Sequence, residues 1–460
     1  MKVLHLKKVG QPKQKPLELS FRTNAFRNVP CRKLIIKKAQ AKIKLDRNKF
    51  LLPILTFGPN NQLLGLRESM LVAIKLNRSL VIPQFYPQFN DPGRHGLQVV
   101  SPKNRINVEH LAEFMTTVTL EEFQQECNHT IDAIFQTRPI NCNELHKVER
   151  DNDIMIFSDQ NREEYIKSGS TLQCPPSNIP SYPKNVRSKI VLDIRKLNDI
   201  YNSTARCPIL LHPYIALSVD FHEGVISNEL FNSSHVDKLL SFGALKTESD
   251  DVIFAAIERA TTRPQYVANI AKNFVDTSTN NLPFIAIHWR YDEEIIAAMC
   301  RLNPKDKICN KVFVPEQVAR AIAQVQQKMI PKGNTKLRVP IYIAAPPTLG
   351  TFIREVKGNL TELYTHLYST SNNTKENFVW TLDDLEKFID ERYPAELCPD
   401  IRPTPNELIS LVEMEVCAMS DAFLWSHFSS WSRVIAHFRP TKVYPHDTCV
   451  FDLVAAAAAA

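Results

Sequence analysis

Residues 284–294 read Phe284-Ile285-Ala286-Ile287-His288-Trp289-Arg290-Tyr291-Asp292-Glu293-Glu294, an apolar run that stops abruptly at a histidine, an arginine and three carboxylates. That is the pattern of a β-strand whose carboxyl end opens onto a cleft. In an open α/β sheet ligands bind at that end, so an arginine delivered there meets an anionic group such as a phosphate. A surface arginine leaving an ordinary core strand fits the same residues. Two further segments decide between the readings.

The first begins Phe50-Leu51-Leu52-Pro53-Ile54-Leu55-Thr56-Phe57-Gly58-Pro59-Asn60-Asn61-Gln62 and continues to Leu80-Val81-Ile82-Pro83. It reads strand, Gly-Pro-Asn-Asn turn, amphipathic helix, strand. Leu63, Leu66, Met70, Ala73 and Ile74 share one helical face, and Asn60 or Asn61 is suited to cap the helix start. The second segment, Asp421 to Phe438, is a short apolar strand, a hydroxyl-rich turn and a helix, which sets Ser429 and Ser430 near a helix N-terminus. Unpaired N–H groups and the positive dipole end make such a terminus an anion site, although an N-cap role alone also accounts for the serines.

Together these segments resemble the GDP-fucose protein O-fucosyltransferase family, including its plant-type branch. The family's glycine-containing loop ending in Asn-Gln, with its helix and following strand, is matched by Gly58 to Gln62 and by Leu76 to Pro83. Its strand into His-x-Arg is matched by Ile285 to Asp292, and its acidic-Ala-hydrophobic strand into serines and an aromatic by Asp421 to Trp431. Ile106 to Leu111 is similar to a short motif of the plant-type members. The resemblance implies an α/β protein of GT-B architecture, two Rossmann-like domains facing a cleft. On it, residues 1–45 are a basic N-terminal arm, 46–280 the acceptor-side domain, 281–454 the GDP-sugar-binding domain, and 455–460 an alanine tail.

The same resemblance implies an inverting, metal-independent transfer of L-fucose from GDP-fucose to a hydroxyl acceptor, Ser or Thr of a protein. No cofactor is expected beyond the donor substrate, and no metal. Arg290 and Asn61 are the expected catalytic residues; Gly58, Asn60, Asn61, His288, Arg290, Ser429, Ser430 and Trp431 are the expected donor contacts. Asp292, Glu293, Glu294 and His95 all remain candidates for a general base. Relatives of the plant type keep open another donor, such as UDP-rhamnose, or a glycan acceptor. A non-catalytic sugar- or protein-binding role also stays open, because two family features are replaced. Gly58-Pro59 stands where members carry a loop Arg or Glu, and Pro346-Pro347 follows Ala345 where many place Thr-Asp.

Composition adds limits. A chain of 460 residues exceeds the usual size of one core. Residues 1–50 carry a net charge of about +13 within a total of +7, so the basic character belongs to the leader and the rest is acidic. A solvated arm is expected there, and no nucleic-acid partner. Ten cysteines without a Cys-x-x-Cys argue against structural zinc and allow disulfides. Six Asn-x-Ser/Thr sequons begin at Asn77, Asn128, Asn202, Asn232, Asn359 and Asn372. With the family's habit they favour the endoplasmic reticulum or Golgi lumen, the cytoplasm being the alternative because no apolar leader or transmembrane span is visible. Two rival motifs are weaker. Asp151-Asn152-Asp153 has the form of a metal-binding triplet but reads as a polar turn entering the strand-like run Ile154-Met155-Ile156-Phe157, and Glu407 and Glu415 recur at a spacing common on helices.

Overall fold

In the computed structural model the described residues are 40–87, 99–139, 142–156, 179–184, 186, 190–214, 216–217, 248–291, 296–297, 300–301, 314–329, 339–367, 378–394, 405–426 and 429–438. The arm up to residue 39, the alanine run, His95, Asp292, Glu293 and Glu294 lie outside them.

Two parallel sheets organise the chain. The first is built from β1 (Asp46–Ile54), β2 (Arg78–Val81), β3 (Thr117–Val118), β4 (Ala133–Gln136), β5 (Ser181–Tyr182) and β6 (Pro208–Leu211), in the order β3-β2-β1-β6-β4-β5. The helices α1 (Pro59–Lys75), α2 (Val108–Phe114), α3 (Leu120–Glu126) and α4 (Cys142–Asn152) fall between its strands. Two helices, α5 (Asp250–Ala260) and α6 (Gln265–Thr279), lead into the second sheet. That sheet holds β7 (Ile285–His288), β8 (Ile341–Ala344), β9 (Val379–Thr381) and β10 (Ala422–Leu424), in the order β10-β7-β8-β9. Its connections are α7 (Pro315–Met329), α8 (Gly350–Leu367), α9 (Leu382–Arg392) and α10 (Pro405–Met419), and α11 (Ser430–Phe438) follows β10.

Every described strand pair is parallel. Parallel strands need helical crossovers that cover both faces, which is why these strands are continuous apolar runs instead of alternating ones. Side chains still alternate between the faces. Ile285 and Ile287 join Val318, Ile322 and Val356 in one core. Ala286 faces the other way, toward Phe274, Leu411 and Phe423. In the first sheet Phe50, Leu52 and Ile54 share a core with Ile134 and Ile209, while Leu51 and Leu55 face the opposite side. That opposite side is the same core that covers β7 and β8, so one apolar layer joins both sheets.

Helix α1 lies in this shared layer and packs on both α5 and α11. It is therefore buried almost all round, not on the single stripe that its pattern suggests. Three successive polar residues of this helix find partners within the fold. Arg67, wholly buried, donates to Thr261 Oγ1 at 2.8 Å and meets Glu258 at 3.4 Å. Glu68 accepts from the Ala216 amide, and Ser69 donates to the Gly65 carbonyl. Gly65 is where the helix comes closest to the chain after β6: a Cβ there would stand 3.3 Å from Pro213.

The apolar segments 190–194 and 208–214 are only partly strand. Leu192 makes a single bridge to Leu217, residues 194–196 form a tight helical turn, and β6 stops at Leu211, where His212 takes a φ of 51°. A disulfide joins Cys127 at the end of α3 to Cys207 at the start of β6.

Candidate active site

Each sheet has one place where its winding reverses. From β7 the chain steps to β8 and β9 on one side, then returns to β10 on the other; from β1 it steps to β2 and β3, then to strands on the far side through β6. The crevice at the carboxyl ends of such a strand pair is where open α/β sheets bind ligands. The three segments singled out by sequence end at these two crevices.

At the β7/β10 crevice, serines bind the two strand ends to each other. Ser426, just past β10, donates from Oγ to the His288 carbonyl at 2.5 Å and accepts from the Arg290 amide at 3.0 Å. Its own amide donates to Ser432 Oγ at 3.0 Å. Ser432 Oγ also lies 2.6 Å from Nδ1 of His288, whose ring stacks on Trp431 with centroids 4.1 Å apart. Burial, with the nearby Arg290 charge adding to it, pushes the His288 pKa down to about 3, so the imidazole is neutral at working pH. Trp289 turns into the opposite core against Phe352, which fixes the chain entering Arg290; Arg290 itself is half-buried.

The serine turn divides its tasks differently from the sequence pattern. Ser429 Oγ accepts from the Ser432 amide at 3.3 Å, so Ser429 is the residue that caps α11, and Ser430 is its first helical residue. Ser429, Ser430 and Trp431 are half-buried. Ser426 and Ser432 are almost wholly buried, and sequence reading passed over both. Their only signal was membership of a hydroxyl-rich turn.

At the β1/β6 crevice, Phe57 adopts a φ of 69° and Gly58 an extended conformation that starts α1, with Pro59 at its first position. No side chain caps this helix, which corrects the cap expected from Asn60 or Asn61; both lie in the first turn, because Pro59 moves the start forward. Gln62 holds the loop instead. It donates to the carbonyls of Phe57 and Tyr86 at 2.7 and 3.0 Å and accepts from the Tyr86 amide at 2.8 Å. Asn61 is half-buried, and its Oδ1 is a buried acceptor with no hydrogen-bond partner among the described residues. Beside the loop, His212 bridges Thr56 Oγ1 at 3.1 Å and Arg138 at 3.2 Å, and Arg138 holds Glu144 at 2.9 Å.

The rival motifs lie elsewhere. Asp151 and Asn152 end α4, and Asp153 follows with a φ of 48° beside His129. The run after it forms a single bridge, Thr130 to Met155, and not a described strand, because the preceding residues continue as helix. Asp153, His129, Ile154 and Met155 line a cavity of about 710 Å³ with His146, Glu149 and Arg150, at the amino edge of the first sheet. Glu407 pairs with Arg105, and Glu415 stands 4.0 Å from Arg263. Asn107 caps α2 through the His110 amide.

A family model described as GDP-fucose protein O-fucosyltransferase matches residues 58–442. Among curated proteins no match is found. Among solved structures, POFUT1 in complex with GDP is 12% identical, with 88% of this chain and 98% of that chain covered and a TM-score of 0.49. Arabidopsis thaliana FUT1 in complex with GDP is 11% identical over 85% of this chain and 68% of that one, with a TM-score of 0.35. The fucosyltransferase NodZ from Bradyrhizobium is 10% identical over 85% and 93%, also with a TM-score of 0.35. The assignment rests on the sequence match, which spans well over half of the chain: this protein belongs to the GDP-fucose protein O-fucosyltransferase family and is a glycosyltransferase of that kind.

Proposed function

We propose that the protein transfers L-fucose from GDP-fucose to a hydroxyl of a protein Ser or Thr, with inversion and without a metal. The observation that carries this reading is the reversal point between β7 and β10, where Arg290 follows one strand and the capped start of α11 follows the other. Breaking the sugar–diphosphate bond develops negative charge on the diphosphate and an oxocarbenium-like centre on fucose, so the site needs preorganised positive potential at the phosphates. Arg290 supplies a planar fork for two phosphate oxygens. The Ser429 cap occupies the Ser432 amide, and the first-turn amides of Ser430 and Trp431 are further donors toward the diphosphate.

His288, neutral and stacked on Trp431, steadies the wall of the donor site and contacts the nucleotide. Asn61 works from the other crevice: its Oδ1 accepts from the reacting sugar or the acceptor hydroxyl, and Gly58 and Asn60 shape the loop that carries it. On this reading residues 46–280 hold the acceptor and 281–454 the donor. The acceptor hydroxyl oxygen bonds to C1 of fucose on the face opposite GDP as the C1–O bond to the diphosphate breaks and the hydroxyl proton passes to a base, which inverts the configuration in one displacement. The Cys127–Cys207 disulfide supports work in the oxidising lumen of the secretory pathway.

The test is release of GDP from GDP-fucose by the full chain in EDTA, beside UDP-rhamnose as competing donor. GDP release that survives chelation is expected. A response to UDP-rhamnose alone would move the donor assignment, and no turnover or binding of either would support a non-catalytic relative.

A further inference from the structure

Of the six sequons, four begin at described residues, and the fold sorts them. Asn128-His129-Thr130 is exposed at all three positions, in the turn between α3 and β4, with Asn128 at a φ of 50° and His129 at 55°. Asn202 and Thr204 are exposed in the segment before β6, with Ser203 half-buried between them. These two turns are neighbours, since β4 and β6 pair directly and the Cys127–Cys207 disulfide closes one side of both. Arg206 strengthens the join through the Glu126 carbonyl and carboxylate.

The other two are less open, although Asn77 itself is exposed. After Asn77 come Arg78 and Ser79, both buried in β2; Arg78 reaches the Phe50 and Ala205 carbonyls, and Ser79 donates to the Asp46 carbonyl. Strand β2 pairs with β1 across the helical connection α1, which holds Arg78 and Ser79 in the sheet. Asn359 is half-buried on α8, and Leu360 beside it is wholly buried against α7.

We propose that Asn128 and Asn202 are N-glycosylation sites and that Asn77 and Asn359 are not. The Asn Nδ2 forms a bond to C1 of an oligosaccharide carried on a lipid diphosphate. The C1–O bond to the diphosphate breaks, the lipid diphosphate leaves, and the amide gives up one proton to a base. On the secretory reading, which the disulfide supports, the chain passes through the compartment where that donor is found. Both sites sit at the amino edges of β4 and β6, so their glycans project away from the carboxyl-end crevices and shield the turns around the disulfide.

The test uses the full chain, sent into the secretory pathway of cultured animal cells by a fused signal peptide. Purified protein is treated with an amidase that removes N-glycans in heavy-oxygen water, which marks each formerly glycosylated Asn as labelled Asp, and the peptides are read by mass spectrometry. Label at Asn128 and Asn202, none at Asn77 or Asn359, and loss of one glycan mass in each of Asn128→Gln and Asn202→Gln are expected. GDP-fucose turnover should be unchanged in those variants. Unlabelled Asn128 and Asn202 would overturn the proposal, and label at Asn77 or Asn359 would overturn the sorting by burial. None of these readouts depends on the fucosyl-transfer reading.

Discussion

Arg290 is placed with more care than a surface arginine requires. Its amide is held by Ser426, and Trp289 before it is buried to 1% exposure. On the proposed role, Arg290→Ala lowers the rate of transfer by a factor of ~10² to 10³ with the fold intact by circular dichroism. Arg290→Lys recovers little, because an ammonium cannot reproduce the planar fork. The serines separate by task. Ser429→Ala should cost ~1 kcal/mol of stability in urea unfolding, as loss of an N-cap does, whereas Ser430→Ala keeps the first-turn amide but removes a hydroxyl donor to the diphosphate, and so should leave stability alone and weaken GDP binding. Equal and small effects of both on GDP would reduce this turn to capping. The placement of Arg290, His288 and the serine turn at strand ends was legible because strand-ending charge and hydroxyl clusters are local signals. Ser426 and Ser432 were not, since their roles exist only once β7 and β10 lie side by side.

Elements show the same division. Strands β1, β2, β7, β8 and β10 and helices α1, α7, α10 and α11 could be read from apolar runs and helical spacing, whereas the two-residue strands β3 and β5 carry no such signal. The burial of α1 on all sides was also hidden, because Arg67, Glu68 and Ser69 look like a solvated face until partners from distant segments are present. Arg67 and Glu258 are both buried; burial brings the Arg67 pKa down to about 10 and raises Glu258 to about 7. Arg67→Met alone should therefore cost ~3–5 kcal/mol, because Glu258 is left buried and uncompensated, while adding Glu258→Leu should recover most of it. Urea unfolding of the two variants checks this; a single variant as stable as wild type would contradict it. In the second half, Glu413 accepts from Tyr342 OH at 3.0 Å, and burial raises its pKa to about 8. Its folded pKa lies above the unfolded value, so its contribution to stability is fully present below pH ~4.5 and is lost as pH rises through about 8. Glu413→Gln should flatten that decline in a melting-temperature series across pH.

For the whole molecule, the resemblance implied two Rossmann-like domains, and two parallel sheets are what the described residues form. Strand order was not legible, because the return of β10 to the far side of β7, and of β6 to the far side of β1, depends on long-range packing through one shared core. Those returns create the two crevices, and the central claim is that GDP-fucose lies at the one between β7 and β10. The direct measurement is a calorimetric titration of GDP in EDTA into wild-type protein and into Arg290→Ala. Saturable binding by the wild type, lost or weakened at least tenfold in the variant, is predicted. Absence of GDP binding by the wild type, or undiminished binding by a folded Arg290→Ala protein, would contradict it.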